Sequence, residues 1–127
     1  MNCKKNSENI MSDAKSVEDG LNRALAELYL LEIFLVSDCY IGEIAEILKT
    51  RSDGRLSIVS PYKIFYRLAE SGYLIEKNKR IAPDGRLRLY YTITEAGRIY
   101  HSALLETYGK FLDGVKIFLN KKDNSHE

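Results

Sequence analysis

The chain of 127 residues contains no tryptophan and only two each of proline, cysteine, methionine and histidine. Each scarcity excludes something. Cys3 and Cys39 form no CxxC pair and have no histidine at ligand spacing, so a zinc framework is excluded and free thiols in a reducing compartment are expected. No apolar run approaches the ~18–20 residues of a membrane span. The first residues, MNCKKNSENIMSD, are polar, which argues against a secretory signal. A cytoplasmic location is expected. His101 and His126 have no cysteine or carboxylate at metal-ligand spacing, and no Gly-rich phosphate loop occurs. Glu43 and Glu46, three apart on one helix, read as solvated surface. The chain is therefore expected to be a binding protein, with no enzymatic activity, metal or other cofactor.

What is present is more directive. Hydrophobic residues make up 45% and charged residues 29%, an ordinary composition for one globular domain. The net charge of +1 hides a strong segregation. Residues 1–48 carry 4 basic and 9 acidic side chains, and residues 49–98 carry 11 basic and 5 acidic. A basic middle is the electrostatic footprint of a phosphate-binding face, although chance segregation on a solvated surface produces the same count.

In order along the chain, residues 1–15 read as a flexible leader. Ser16 and Asp19 resemble a capping box, and a helix follows to about Val36 with Leu21, Leu25, Leu28, Leu31 and Leu35 on one face. A shorter helix covers Ile41, Ile44, Ile47 and Leu48. Thr50 to Arg55 is a loop, and Leu56 to Val59 is a candidate short strand. Ser60 then reads as an N-cap with Pro61 at the first helical position. That helix spans about 60–71 and ends at Gly72. It turns Ile64, Phe65 and Leu68 inward and Lys63, Tyr66, Arg67 and Glu70 outward. Tyr73 to Ile81 reads as a strand, with a Pro-Asp-Gly turn after it. A second strand puts Leu87, Leu89, Tyr91 and Ile93 on one face and Arg86, Arg88, Tyr90 and Thr92 on the other. Thr94 caps a final helix of about 25 residues.

Three helices followed by a two-stranded hairpin describe a winged helix-turn-helix. The fold class is mainly α with a small β-hairpin, an α+β arrangement, with a long C-terminal helix. The expected organisation is a DNA-binding unit over 16–93, a dimerisation helix over 94–120 and a flexible tail over 121–127. In this motif the helix after the turn enters the major groove of double-stranded DNA. Ser60, Tyr62, Lys63, Tyr66 and Arg67 are placed to read it. Lys77, Lys79, Arg80, Arg86 and Arg88 flank the wing, about 73–93, and suit the DNA backbone or minor groove. Two other readings stand beside this one. Basic side chains on an exposed hairpin discourage aggregation, and a winged helix also serves as a protein-interaction module.

These residues carry a family resemblance. Val59 to Leu74, VSPYKIFYRLAESGYL, resembles the recognition-helix pattern of the PadR family of bacterial winged-helix regulators, with Tyr62, Arg67, Leu68 and Gly72 on the pattern. Gly85 to Gly97 matches the family's wing and helix entry more closely, through Gly85, Arg88, Tyr90, Tyr91, Thr94 and Gly97. Tyr40 to Leu48 resembles a third family segment with altered order. The resemblance spans about residues 21–119. Lys63 stands where the family has proline and adds a charge to the DNA face. The resemblance implies a sequence-specific transcriptional regulator, here read as a dimeric repressor.

The resemblance also implies dimerisation through the last helix. Its stripe of Tyr100, Leu104, Tyr108, Phe111, Val115 and Phe118 exceeds what a small body covers, so a homodimer is expected. Packing onto the first helix of the same chain is compatible with this. Tyr29, Phe34, Tyr100, Tyr108 and Phe111 are candidates to line a site for a small aromatic effector, or else are plain core.

Overall fold

The leucine stripe forms its helix, and that helix starts earlier than the pattern indicates. In the computed structural model, which describes residues 6–121, α1 spans Ser7–Val36. Asn6 is its cap, accepting the Asn9 N–H at 2.8 Å. Residues 7–15, read as a leader, are helical, and Ser16 and Asp19 sit mid-helix. Lys15 pairs with Glu18 at 3.4 Å and Asp19 at 3.0 Å, and such i,i+3 and i,i+4 pairs favour helix across the expected start. The leader's first five residues, with Cys3, and residues 122–127 of the expected tail lie outside the described residues.

After α1 the chain extends through Ser37, and Cys39 pairs with Tyr91 by two backbone hydrogen bonds of 3.2 and 2.9 Å. A 3-10 turn, Ile41–Glu43, leads into α2, Ile44–Arg51. Glu43 is more than solvated surface, because its carboxylate accepts the Tyr40 N–H at 3.1 Å. Leu56–Val59 is not a strand. Cys39 occupies the place beside β2, and the Ser57 N–H turns instead to the Asn22 side chain at 3.5 Å. Asn22 is buried on α1 and also accepts the Tyr29 hydroxyl at 2.9 Å.

α3 spans Pro61–Glu70. Its start corrects the expectation for Ser60, which adopts a left-handed backbone (φ 55°, ψ 59°) and makes no side-chain cap. A capping hydroxyl needs an extended backbone, and Pro61 disfavours the right-handed helical conformation in the residue before it. The Ser60 carbonyl holds the first turn instead, accepting Lys63 N–H at 3.1 Å. The other end follows the sequence. Gly72 takes φ 82°, and the Tyr73 N–H reaches back to Leu68 O at 2.9 Å, a Schellman closure.

β1, Leu74–Ile81, pairs antiparallel with β2, Leu87–Ile93, with a bulge between Glu76 and Asn78. Phe65 is the centre of the core. It is fully buried, meets Tyr91 edge-on at 4.5 Å and faces Phe34 at 6.3 Å. It thereby joins α3 to both α1 and the wing. Cys39 is a free, buried thiol, and burial pushes its pKa up to about 11.

α4 spans Glu95–Asn120 and leaves the wing through a tight joint. The Thr94 hydroxyl accepts Gly97 N–H at 3.0 Å and donates to Gly72 O at 2.7 Å, while Thr94 N–H reaches Tyr73 O at 3.0 Å. A Cβ at position 97 would run into the Tyr73 carbonyl oxygen and lie 2.7 Å from Ile93 Cγ1. Gly97→Ala is therefore expected to destabilise the protein by about 2 kcal/mol, the cost of forcing an atom into filled space. Urea denaturation checks this, and an unchanged midpoint contradicts it.

Candidate nucleic-acid interface

The ten residues assigned to DNA fall into two electrostatic classes. Lys63, on the exposed face of α3, and Lys79 and Arg86, on the hairpin, have no ion pair among the described residues. The other charged ones are already engaged. Arg67 holds the Glu27 carboxylate on α1 through both Nε and Nη2. Lys77 and Arg80 converge on Asp38 at 2.9 and 3.4 Å. Arg88 holds Asp84 across the turn at 2.7 Å.

The Glu27 contact joins three elements. Tyr100 of α4 donates its hydroxyl to the same carboxylate, and its ring stacks on Tyr73 with centroids 4.4 Å apart. Burial first, and then the hydrogen bond to Glu27, push the Tyr100 pKa up to about 12. Arg67 is thus tied into the α1–α3–α4 junction rather than standing free on the outer face.

On the wing, one face carries the pairs Arg88 with Arg80 and Tyr90 with Asn78. The sequence implied an open basic face, but the structure partly roofs it. Tyr90 is buried, Tyr40 meets it edge-on at 5.5 Å, and the Arg80 guanidinium lies 4.2 Å from its ring. Arg88 lies over the Tyr40 ring at 5.0 Å. Asp84 foremost, and the Tyr40 and Tyr62 hydroxyl groups to a smaller degree, hold the Arg88 guanidinium more firmly protonated than usual. The last of these places Tyr62, at the start of α3, in electrostatic reach of the wing. Leu87, expected among the inward residues, is exposed at the hairpin tip.

The open groups are the ones available to phosphate. They are the cations Lys63, Lys79 and Arg86, the exposed Tyr62 and Tyr66 hydroxyls, and the amino end of α3. Because Ser60 makes no side-chain cap, that end presents backbone N–H and the positive end of the helix dipole. Asp38, Tyr40, Asn78 and Asp84 position the wing and were not singled out from the sequence. The available signal was an acid and an aromatic on either side of Cys39, just before the basic half.

The dimerisation stripe also divides. Tyr108 donates to the Ala24 carbonyl, and Tyr100 and half-buried Leu104 pack onto the same chain. Phe111 and Phe118 stay exposed, at 64% and 78%, and Val115 borders on exposure at 37%. The five proposed effector residues do not converge. Phe34 is core against Phe65, and Tyr29 is tied to Asn22. Tyr108 and Phe111 do line an apolar groove of about 260 Å³ with Leu21, Ala24, Leu25 and Leu112. His101, set aside as a ligand, is buried and meets Glu32 of α1 at 2.7 Å.

A family model for the PadR-like transcriptional regulators matches residues 30–103, from mid-α1 into α4. The chain belongs to the PadR-like family. As a PadR-like protein it is a DNA-binding transcriptional regulator and not an enzyme. A PadR family transcriptional regulator from Eggerthella lenta shares the fold at TM-score 0.75, with 19% identity over 91% of this chain and 100% of that one. A transcriptional regulator from Clostridium thermocellum matches at TM-score 0.66, with 22% identity over 76% and 94%. A relative from Lysinibacillus sphaericus, described only as uncharacterized, is 28% identical over 81% of this chain and 95% of its own. No described helix is long and apolar enough to cross a membrane.

The two classes of cation make a distinguishable prediction about stability. Arg67→Ala is expected to cost about 1 kcal/mol, because it strips a partner from Glu27. Lys63→Ala is expected to stay within about 0.5 kcal/mol of the wild type. Thermal unfolding of both variants checks the contrast, and equal midpoints contradict it.

Proposed function

We propose that this PadR-like regulator is a sequence-specific dimeric repressor. α3 lies in the major groove of double-stranded DNA, and the wing lies on the backbone or in the minor groove. The observation that carries this reading is the open amino end of α3, with Tyr62 and Lys63 exposed on its first turn and the wing's Arg88 in electrostatic reach. Lys63 supplies phosphate or guanine contact, and Tyr62 and Tyr66 supply hydroxyl donors. Lys79 and Arg86 supply the wing's backbone contact. The protein acts in the cytoplasm, where bacterial operators are.

The dimer rests on what one chain leaves uncovered. Phe111, Leu112, Ile117, Phe118 and Leu119 are all more than half exposed at the end of α4. Ile10, Met11, Val17 and Leu21 are equally exposed along the first half of α1. Apolar surface on this scale marks an interface, and a second copy related by a two-fold axis covers it. Such a pair presents two α3 helices to half-sites about one DNA turn apart. Repression then needs only occupancy of the operator. The groove beside Tyr108 and Phe111, closed by the second copy, suits a small aromatic effector.

Two experiments test these statements. A duplex selected from a random pool on the wild-type protein serves as the probe. Lys63→Ala with Arg86→Ala is expected to weaken binding more than tenfold and to reduce the log–log salt slope by about 2, as two phosphate contacts predict. Unchanged anisotropy titrations refute the assigned face. Phe111→Glu with Phe118→Glu is expected to give a monomer by light scattering, and a persistent dimer refutes the interface.

A further inference from the structure

Asp38 is the feature that the DNA-binding reading leaves unused. It follows α1 directly and precedes the Cys39–Tyr91 bridge, so backbone pairing places it against the wing. Its side chain is only 20% exposed, and it receives Lys77 Nζ at 2.9 Å and Arg80 Nη2 at 3.4 Å. Burial alone would raise its pKa. Hydrogen bonds from Lys77, Thr92 and Arg80, with the Lys77 charge, outweigh that and hold the carboxyl below the usual carboxylate range. Asp38 is therefore ionised at neutral pH. One carboxylate thus faces two of the five cations assigned to the wing.

Arg80 is restrained from a second side. Its guanidinium lies on the Tyr90 ring and its Nε donates to Asn78 at 3.1 Å. Lys77 sits at the bulge between Glu76 and Asn78, the residue left without a partner on β2. A bulge residue turns its side chain out of the regular alternation, and here that side chain reaches Asp38. The local fold therefore directs both cations inward to one carboxylate, while Lys79 and Arg86 near the tip stay open.

We infer that Asp38 is a specificity-determining residue, an internal counter-charge that withholds Lys77 and Arg80 from phosphate. The inference rests on the DNA-binding reading and deepens it. Non-specific binding depends on how many cations can reach phosphates, whatever the DNA sequence. Operator binding is fixed by α3 in the groove and by the wing tip, so its contact set does not grow when Lys77 and Arg80 are freed. A carboxylate that occupies those two cations lowers random-DNA affinity and spares operator affinity. The ratio between the two is the quantity a regulator needs.

The test measures anisotropy with two probes, the selected duplex and a random-sequence duplex of equal length, over a range of salt. Asp38→Asn is expected to raise random-duplex affinity about fivefold and to steepen its salt slope by about 1–2, as one or two new phosphate contacts require. Affinity for the selected duplex is expected to change less than twofold. In a Lys77→Ala plus Arg80→Ala background, Asp38→Asn is expected to have no such effect. An equal gain in both backgrounds is a bare charge effect and overturns the inference. So does an unchanged ratio between the two probes, or a loss of binding. Lys77→Ala plus Arg80→Ala alone gives a reading that does not depend on how the Asp38→Asn variant folds. It is expected to lower random-duplex affinity less than Lys79→Ala plus Arg86→Ala, and an equal drop overturns the inference. Wild-type protein that binds no duplex defeats the DNA reading itself, and the inference falls with it. Binding without the Asp38 effect defeats only the role of Asp38.

Discussion

The structure depends on one joint, where Thr94 and Gly97 pin the start of α4 to the end of α3. The Thr94 hydroxyl works in two directions, capping α4 at Gly97 N–H and donating to Gly72 O beyond α3. Gly97 allows the approach, since any side chain there meets the Tyr73 backbone and Ile93. The same few residues close α3, open β1, end β2 and begin α4. A recognition helix, a wing and an oligomerisation helix thereby share one anchor. Moving α4 as a rigid body therefore moves both DNA-facing elements.

A second junction, at Glu27, works in the same direction. Its carboxylate takes Arg67 from α3 and Tyr100 from α4, and Tyr100 stacks on Tyr73 at the start of the hairpin. His101 meets Glu32 one turn further along α1, and Arg51 of α2 lies 3.7 Å from that carboxylate. Both long helices are thus tied by charge-assisted hydrogen bonds at their inner ends and bare of partners at their outer ends. Ordinary core packing through Phe65 accounts for cohesion. These polar contacts set the angle at which α4 leaves the body.

The wing is a balanced rather than an open cationic surface. Asp38 and Asp84 neutralise part of it, and the Tyr40 and Tyr90 rings hold Arg88 and Arg80 in place. Aromatic faces attract guanidinium groups without neutralising them. The hairpin therefore keeps a defined shape while its tip stays charged. That arrangement separates the residues that shape the wing from those that touch DNA, a distinction that residue type alone does not make.

The local signals determined much of this protein. Pro61 and Gly72 bounded α3, Pro83 to Gly85 made the hairpin turn, and Thr94 capped α4, because each rests on backbone chemistry that needs only its neighbours. The family pattern and the segregation of charge were equally legible. Other features were decided only by the tertiary structure. Arg67 and Lys63 look alike on the outer face of α3, yet a glutamate forty residues upstream occupies one and leaves the other free. Tyr90 reads as an outward residue by alternation, yet Tyr40 covers it. Ser60 reads as a cap, yet its backbone before Pro61 is left-handed. The physical reason is common to all three. A sequence carries its local hydrogen-bonding and periodic preferences, but the partner of a long polar or aromatic side chain is set by which distant segment the fold brings beside it.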